Sequence, residues 1–249
     1  MTRNFHRNGD ADLVAAFNDL LPDYFTVFGA ACDVDAGSEV IDGRAVSRRF
    51  QFGNMILSRY PLLATRTLLL PRSRTFDRLN LQRAATEALI DTPVGLVRVY
   101  SVHLDHRDPH ERIDQIHELK ARVTRYGLEG GAVTGAVEFG FADPPSTDDF
   151  VIMGDFNMMP ETPEYNAMCG VRDPFYGRSL RSTNPCDALA HFGKTGPQSY
   201  SWVDPPHPET RQLLDYCFLS PGLAQRFADG WIDTSATGSD HMPLWIELT

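Results

Sequence analysis

Apolar positions along this chain follow a helical period in some stretches and a strand period in others, with Pro and Gly between them. Across residues 12–21, Leu13, Phe17, Leu20 and Leu21 recur at helical spacing, with Asp10 as a cap and Pro22 as the stop, which predicts a short amphipathic helix. Residues 54–58, 62–70, 83–91 and 96–103 are apolar or alternating runs that read as consecutive strands, the last two joined by a turn at Thr92-Pro93-Val94-Gly95. Asp108, Pro109 and Glu111 supply a cap, a proline at the first helical position and an acid at the third, and Ile113, Ile116, Leu119 and Val123 continue as a helical stripe. Residues 127–149 are rich in Gly, Pro and acids and too long for an ordinary connection, so a mobile rim or a partly disordered segment is expected there. Strands at 151–153, 213–219 and 244–248 complete the set. Intermixed helices and strands with hairpin-like spacing predict one mixed α/β domain over residues 1–249, paired mainly antiparallel.

Composition narrows the class. A chain of 249 residues with 42% hydrophobic and 10% aromatic positions can bury a substantial core. No apolar run approaches the roughly 18 residues of a membrane span. The stretch from Met1 to Gly9 is polar and has no signal-peptide character, which predicts a cytoplasmic protein. Cys32, Cys169, Cys186 and Cys217 form no CxxC pair and are expected to be free thiols. Lys plus Arg at 23 against Asp plus Glu at 33 leaves a net charge of −10, which disfavours tight nonspecific nucleic-acid binding. The number of copies in the assembly has no signature in the chain.

Four short segments carry polar residues at or beside strand ends: Ser101-Val102-His103-Leu104, Gly154-Asp155-Phe156-Asn157, Leu214-Asp215-Tyr216 and Gly238-Ser239-Asp240-His241-Met242-Pro243-Leu244. Attack on a phosphate ester needs oxygen ligands for a hard cation, a group that orients or deprotonates water, and donors for charge that grows on phosphorus; this set has all three. Asp155 and Asn157 are two apart and face the same way on an extended segment, although the same residues also suit a plain turn. Asp240 and His241 precede Met242-Pro243, which holds them extended and points them to opposite faces. A carboxylate at Asp215, inside an apolar run, requires a partner, and a His–Asp pair is the simplest. His103, His106 and His110 cluster without a familiar zinc spacing. Arg83 and Arg112 suit either phosphate or an ion pair. Tyr200-Ser201-Trp202 suits either core packing or a platform for a head group or base.

In this order, together with Phe52-Gly53-Asn54-Met55-Ile56-Leu57-Ser58-Arg59-Tyr60-Pro61, the segments resemble the signature of the endonuclease/exonuclease/phosphatase superfamily over about Arg3 to Leu248. That superfamily includes pancreatic-type deoxyribonucleases, abasic-site endonucleases, bacterial sphingomyelinases, inositol polyphosphate phosphatases and deadenylases. The resemblance implies an α/β (α+β) fold, a two-sheet β-sandwich flanked by helices in the deoxyribonuclease-like four-layer architecture, with the site at one edge. It also implies roles. Asp155 orients or deprotonates water, Asn157 binds phosphate or metal, Asp215 pairs with His241, and His103 donates to the phosphoryl or leaving-group oxygens. Asp240, with the Asp155 and Asn157 side, holds Mg²⁺ or Mn²⁺, while Asn54, Arg83 and Trp202 bind a phosphate-ester substrate. Two family features are missing: an Asn on the first strand and a metal-binding Glu on the second. The opening from Thr2 to Asp10 resembles the stretch just after that Glu, so the first two strands are expected to be absent. The expected function is divalent-metal-dependent hydrolysis of a phosphodiester or phosphomonoester; the rival is a catalytically inactive binding or scaffold protein.

Overall fold

A run of buried residues from Ala84 to Ile90 forms an inner strand of the larger sheet in the computed structural model, which describes residues 1–5 and 9–249. In chain order the strands are β1 (Thr2–Phe5), β2 (Ala11–Asp12), β3 (Phe25–Asp35), β4 (Glu39–Ile41), β5 (Arg44–Val46), β6 (Arg49–Ser58), β7 (Leu62–Leu69) and β8 (Ala84–Thr92). They continue as β9 (Gly95–His103), β10 (Phe150–Asp155), β11 (Cys186–Asp187), β12 (Trp202–Asp204), β13 (His207–Gln212), β14 (Asp215–Leu219), β15 (Phe227–Ile232) and β16 (Leu244–Leu248). The helices are α1 (Leu13–Leu20), α2 (Pro109–Thr124), α3 (Tyr126–Glu129), α4 (Pro163–Cys169), α5 (Ala188–His191) and α6 (Pro221–Ala224).

One sheet has six strands in the order β11-β14-β10-β9-β8-β7, the other four in the order β2-β1-β6-β3. The remaining strands form the ribbons β4–β5, β12–β13 and β15–β16. Pairing is antiparallel throughout, as the spacing predicts, except between β9 and β10, which are parallel and joined through α2. A parallel pair needs a crossover of that length, and the amphipathic α2 covers the sheet on its way back. Ile116, Leu119 and Val123 of α2 and Tyr165 and Met168 of α4 pack with Tyr100, Ile152 and Phe218 in the main core.

The two sheets meet through an apolar cluster, in which Ile56 and Val27 pack with Ala88 and Ile90, and beside it through small residues and one polar clamp. A Cβ at Gly29 would collide with the hydroxyls of Thr86 and Thr67, so β3 approaches the large sheet at glycine distance. Thr86 Oγ1 donates to Asn54 O at 3.1 Å, and Asn54 Nδ2 donates to Ala84 O at 2.6 Å. Both side chains are buried, so these bonds satisfy polar groups that would otherwise be left dry.

Several expectations need correction. Helix α1 is capped by Asp12, whose Oδ1 accepts from Ala15 N, while Asp10 sits at φ 57° before it. Its buried residue is Val14, and Leu20 is 72% exposed, so the predicted apolar face is not the packed one. Residues 127–149 hold the end of α3 and a 3₁₀ turn at Ala136–Phe139, pinned where Ala136 N and Gly135 N donate to Asp143. The 11-residue β3 has no counterpart among the expected strands, since its centre, Gly29-Ala30-Ala31-Cys32, lacks the bulk that marks a strand in sequence. His6, Arg7 and Asn8 of the opening motif lie outside the described residues. The four cysteines are free, and among the described residues no helix is long and apolar enough to cross a membrane.

Arg98 on β9 is 2% exposed and has no carboxylate partner among its bonds. Its guanidinium donates to Tyr100 Oη, Val123 O and Asp148 O, and lies 4.2 Å from the Tyr126 ring centroid. It therefore ties the C-terminal end of α2 and the entry to β10 to the sheet, through charge-assisted bonds and a cation–π contact. Arg98→Ala would leave these acceptors and a cavity behind, and is expected to destabilise the fold by at least about 3 kcal/mol. Urea unfolding measures this; a loss below about 1 kcal/mol would show that the cluster is not a structural clasp.

Candidate active site

Strand register alone brings three polar side chains to one rim. Asp155 at the end of β10 is opposite His103 on parallel β9 and opposite Asp215 on antiparallel β14. Gly154 precedes it at φ 143°, and a Cβ there would collide with the Val102 carbonyl, so only glycine lets β10 close against β9 at this point. The chain then turns sharply. Asn157 adopts φ 50°, its N–H donates to Asp155 Oδ1 at 2.8 Å, and its Nδ2 donates to Leu104 O at 3.1 Å. A left-handed Asn closing back on an Asp two residues earlier is inexpensive turn chemistry, and here it fixes one carboxylate oxygen and leaves the other free.

That second oxygen is the centre of the site. His103 Nε2 lies 3.4 Å and His241 Nε2 3.8 Å from Asp155 Oδ2. The Nδ1 of His241 is 2.8 Å from Asp215 Oδ2, which places its proton toward the carboxylate and aims Nε2 at the rim. Ser201, fully buried, donates from Oγ to the same Asp215 oxygen at 2.7 Å and accepts from the N–H groups of Leu214 and Asp215. His241 is positioned by backbone as well, because Met242 N donates to Ser201 O, Val203 N donates to Asp240 O, and Trp202 bridges to His241. The sequence treats Ser201 only as part of an aromatic stretch. A small hydroxyl residue between Tyr200 and Trp202, preceding a strand with a buried carboxylate, is the signal that could have found it.

The electrostatics follow from crowding. Burial, and then the nearby charge of Asp215, push the Asp155 carboxyl up to about 6, against the Asn157 N–H bond and the charges of His241 and Arg83. For His241 burial works against the imidazolium, but the hydrogen bond and charge of Asp215, with Asp155 and Asp240 beyond, outweigh it and raise the pKa. His103 moves the other way: burial, and then the charge of Arg83, hold it well below the usual range, so it is neutral.

The other predicted residues are spread around this centre. Trp202 Nε1 donates to Asp240 Oδ2 at 3.3 Å, and Asp240 is exposed. Asn54 lies between the sheets in the clamp described above. Arg83 is 3% exposed, with its guanidinium 5.2 Å from the Phe52 ring centroid and Nη2 3.1 Å from His106 Nδ1. A guanidinium only donates, so His106 Nδ1 accepts; Nε and Nη1 of Arg83 are buried without a hydrogen-bond partner. Arg112 is bonded to Glu164 at 2.7 Å, which makes it a structural ion pair, and His110 is exposed at the start of α2. Among the described residues no three His, Cys, Asp or Glu side chains form a ready metal cage. Asp155, Asn157 and Asp240 nevertheless supply hard oxygen donors, and the raised proton affinity of Asp155 comes from burial first and the Asp215 charge second. Such a set fits a largely hydrated Mg²⁺ or Mn²⁺, since Mg²⁺ commonly takes one or two carboxylates and keeps its waters.

A family model described as "Endonuclease/Exonuclease/phosphatase family" matches residues 7–241. No curated protein matched the chain. Among solved structures, an endonuclease/exonuclease/phosphatase from Bacteroides vulgatus aligns with TM-score 0.60 and 18% identity, over 95% of this chain and 80% of that one. A mannosyl-6-phosphatase from Bacteroides thetaiotaomicron aligns with TM-score 0.56 and 16% identity, over 94% and 80%. A 3'-5' exonuclease from Neisseria meningitidis gives 0.55 and 18%, over 96% and 84%. At these identities the likeness is one of fold.

A carboxyl whose pKa rises on folding binds its proton more tightly in the native state, so stability falls as pH rises through the window between its unfolded and folded values. For Asp155 that window runs from 3.8 to about 6 and is worth roughly 3 kcal/mol. His241, whose pKa is raised above 6.5, contributes stability that is lost at higher pH, outside this window. In metal-free buffer Asp155→Asn is therefore expected to melt above the native protein near neutral pH, with the gap closing toward about pH 4. Parallel melting curves at the two pH values test this, and a gap that does not change with pH would show that the carboxyl is unstrained.

Proposed function

The chain belongs to the endonuclease/exonuclease/phosphatase family, and on that premise we propose that it hydrolyses a phosphate ester with Mg²⁺ or Mn²⁺, using His103, Asp155, Asn157, Asp215 and His241. The observation that supports this most directly is the convergence of two imidazoles on one oxygen of Asp155, one of them locked by Asp215. Asp155, with one oxygen facing both imidazoles at the rim, is placed to orient water and take its proton. His241, whose imidazolium form Asp215 favours, donates from Nε2 to a phosphoryl oxygen as negative charge grows there. Neutral His103 donates on the opposite side of Asp155, toward the phosphoryl or leaving-group oxygen. The amide of Asn157 borders the same space, and Arg83 adds a fixed positive charge behind His103. Asp240, with Asp155 and Asn157, would hold the cation, which when bound supplies Lewis-acid polarisation of the phosphoryl group. The similar folds include a phosphatase and an exonuclease, so both monoesters and diesters lie within the proposed substrate range.

The test is hydrolysis of small phosphate monoesters and diesters with Mg²⁺ or Mn²⁺, then with excess chelator. Turnover is expected with metal and not with chelator; full turnover after exhaustive chelation would remove the metal from the scheme. His241→Ala is expected to lower kcat by about 10²–10⁴ and Asp215→Asn by a smaller factor, with the double variant hardly worse than the poorer single one. Multiplicative losses would mean that the two residues do not act as a pair. A folded protein that turns over none of these esters under any metal would favour a binding or scaffold role.

A further inference from the structure

The connection between β7 and β8 is a basic stretch of this acidic chain. Residues 71–83 contain four Arg, at 72, 74, 78 and 83, against the single Asp77, so the segment carries +3 in a chain of net charge −10. Arg72, Arg74 and Arg78 are exposed, and between them stands Phe76, 85% exposed, with the Arg74 guanidinium 4.6 Å from its ring centroid. A bare aromatic flanked by guanidinium groups gives this loop a local positive charge in a chain of net negative charge.

The loop is held in place at its neck. Ser73 donates from N and Oγ to Glu111 Oε2, at 2.9 and 2.7 Å, and Asn80 Nδ2 donates to the same oxygen at 3.0 Å and to Ser73 O at 3.1 Å. Glu111 is 5% exposed and sits in the first turn of α2. Gln115 Nε2 donates to Pro71 O, Arg72 Nη1 to Asn80 O, and Thr75 Oγ1 to Arg78 O. A buried carboxylate thus closes the neck and presents the tip outward. The same loop leads into Arg83, whose Nη2 reaches His106, three residues beyond His103. It therefore rises from the rim on the His103 side of the site.

We propose that residues 71–80 extend the active site into a grip for single-stranded nucleic acid, with Phe76 as a stacking platform for a base and Arg72, Arg74 and Arg78 on phosphates flanking the scissile one. The inference rests on the phosphoesterase reading and names its substrate class. Base–aromatic stacking combined with a positive track is the general chemistry of single-strand binding, and it tolerates any sequence. An anionic membrane fits less well. Insertion of Phe76 would carry the neighbouring Asp77, whose side chain is 80% exposed, into the lipid interface. The acidic remainder of the chain keeps binding modest and salt-sensitive rather than tight, because the positive charge is local.

Binding of fluorescent oligo(dT) in chelator, across a salt series, tests the proposal with the full chain. Phe76→Ala is expected to weaken binding about tenfold. Arg74→Gln/Arg78→Gln is expected to make the slope of log affinity against log salt shallower by about 1.4. Both variants should hydrolyse a small chromogenic phosphodiester within about twofold of the native rate. Unchanged oligonucleotide binding in both variants overturns the grip. So does a native protein that ignores oligo(dT) but binds phosphatidylserine vesicles in a Phe76-dependent way, which would make a lipid surface the partner. Oligonucleotide binding without hydrolysis of any ester overturns the catalytic reading beneath it, and the small-ester assay tells that failure from the failure of the grip.

Discussion

The site depends on placing two carboxylates opposite each other on adjacent strands, Asp155 on β10 and Asp215 on β14. Like charges at a cross-strand position repel, and both side chains are largely removed from water. The structure offsets this unevenly. Asp215 receives the His241 imidazole and the Ser201 hydroxyl on one oxygen, whereas the hydrogen bond to Asp155 goes to Oδ1, the oxygen turned away from the histidines. The asymmetry separates the two acids chemically: one supports an imidazolium, and the other is left with a proton affinity near neutrality. The glycine before Asp155, the left-handed Asn157 and the Trp202–His241 bridge each serve to hold that arrangement.

Much of this was legible in the sequence, and the legible parts share a cause. The capped α2, the strands β8 and β9 and the apolar run of β14 announce themselves through local rules of period and capping, and the structure places them as those rules require. The four polar segments could be expected at one rim because each ends or starts a strand. What failed were features set by non-local contact. Strand β3 has a centre of small residues, with Gly29 held against Thr67 and Thr86, so its period carries little hydrophobic signal. Helix α1 has an apolar stripe that tertiary packing leaves in solvent. Ser201 is marked only by its place between two aromatic residues ahead of β14, and the carboxylate it meets lies 14 residues later, so its role is set by a non-local contact.

Charge is also distributed in a way that net composition conceals. An overall −10 argues against a polyanion partner, yet the β7–β8 connection is basic, and a buried Glu111 sets its shape. Electrostatic attraction over a Debye length of roughly 8–10 Å responds to such local charge more than to the total. Composition bounds affinity for long nucleic acids; it does not decide what a rim loop touches.

Two buried guanidiniums differ in how fully their surroundings satisfy them. Arg98 spreads its charge over two carbonyls, a phenol and the faces of three aromatic rings, so its bonding resembles that of a clasp within the core. Arg83 is nearly as buried but has only His106 and the Phe52 ring, with two donors unmatched. An uncompensated buried cation is unfavourable, as is a buried carboxylate crowded by another, and the two lie on either side of His103. The rim thus holds a carboxyl crowded by Asp215 and a buried guanidinium that meets Asp105, Asp155 and Glu111 through charge at a distance, with two of its donors lacking a hydrogen bond. A fold selected for stability alone would have paired these groups with each other or replaced them with apolar ones.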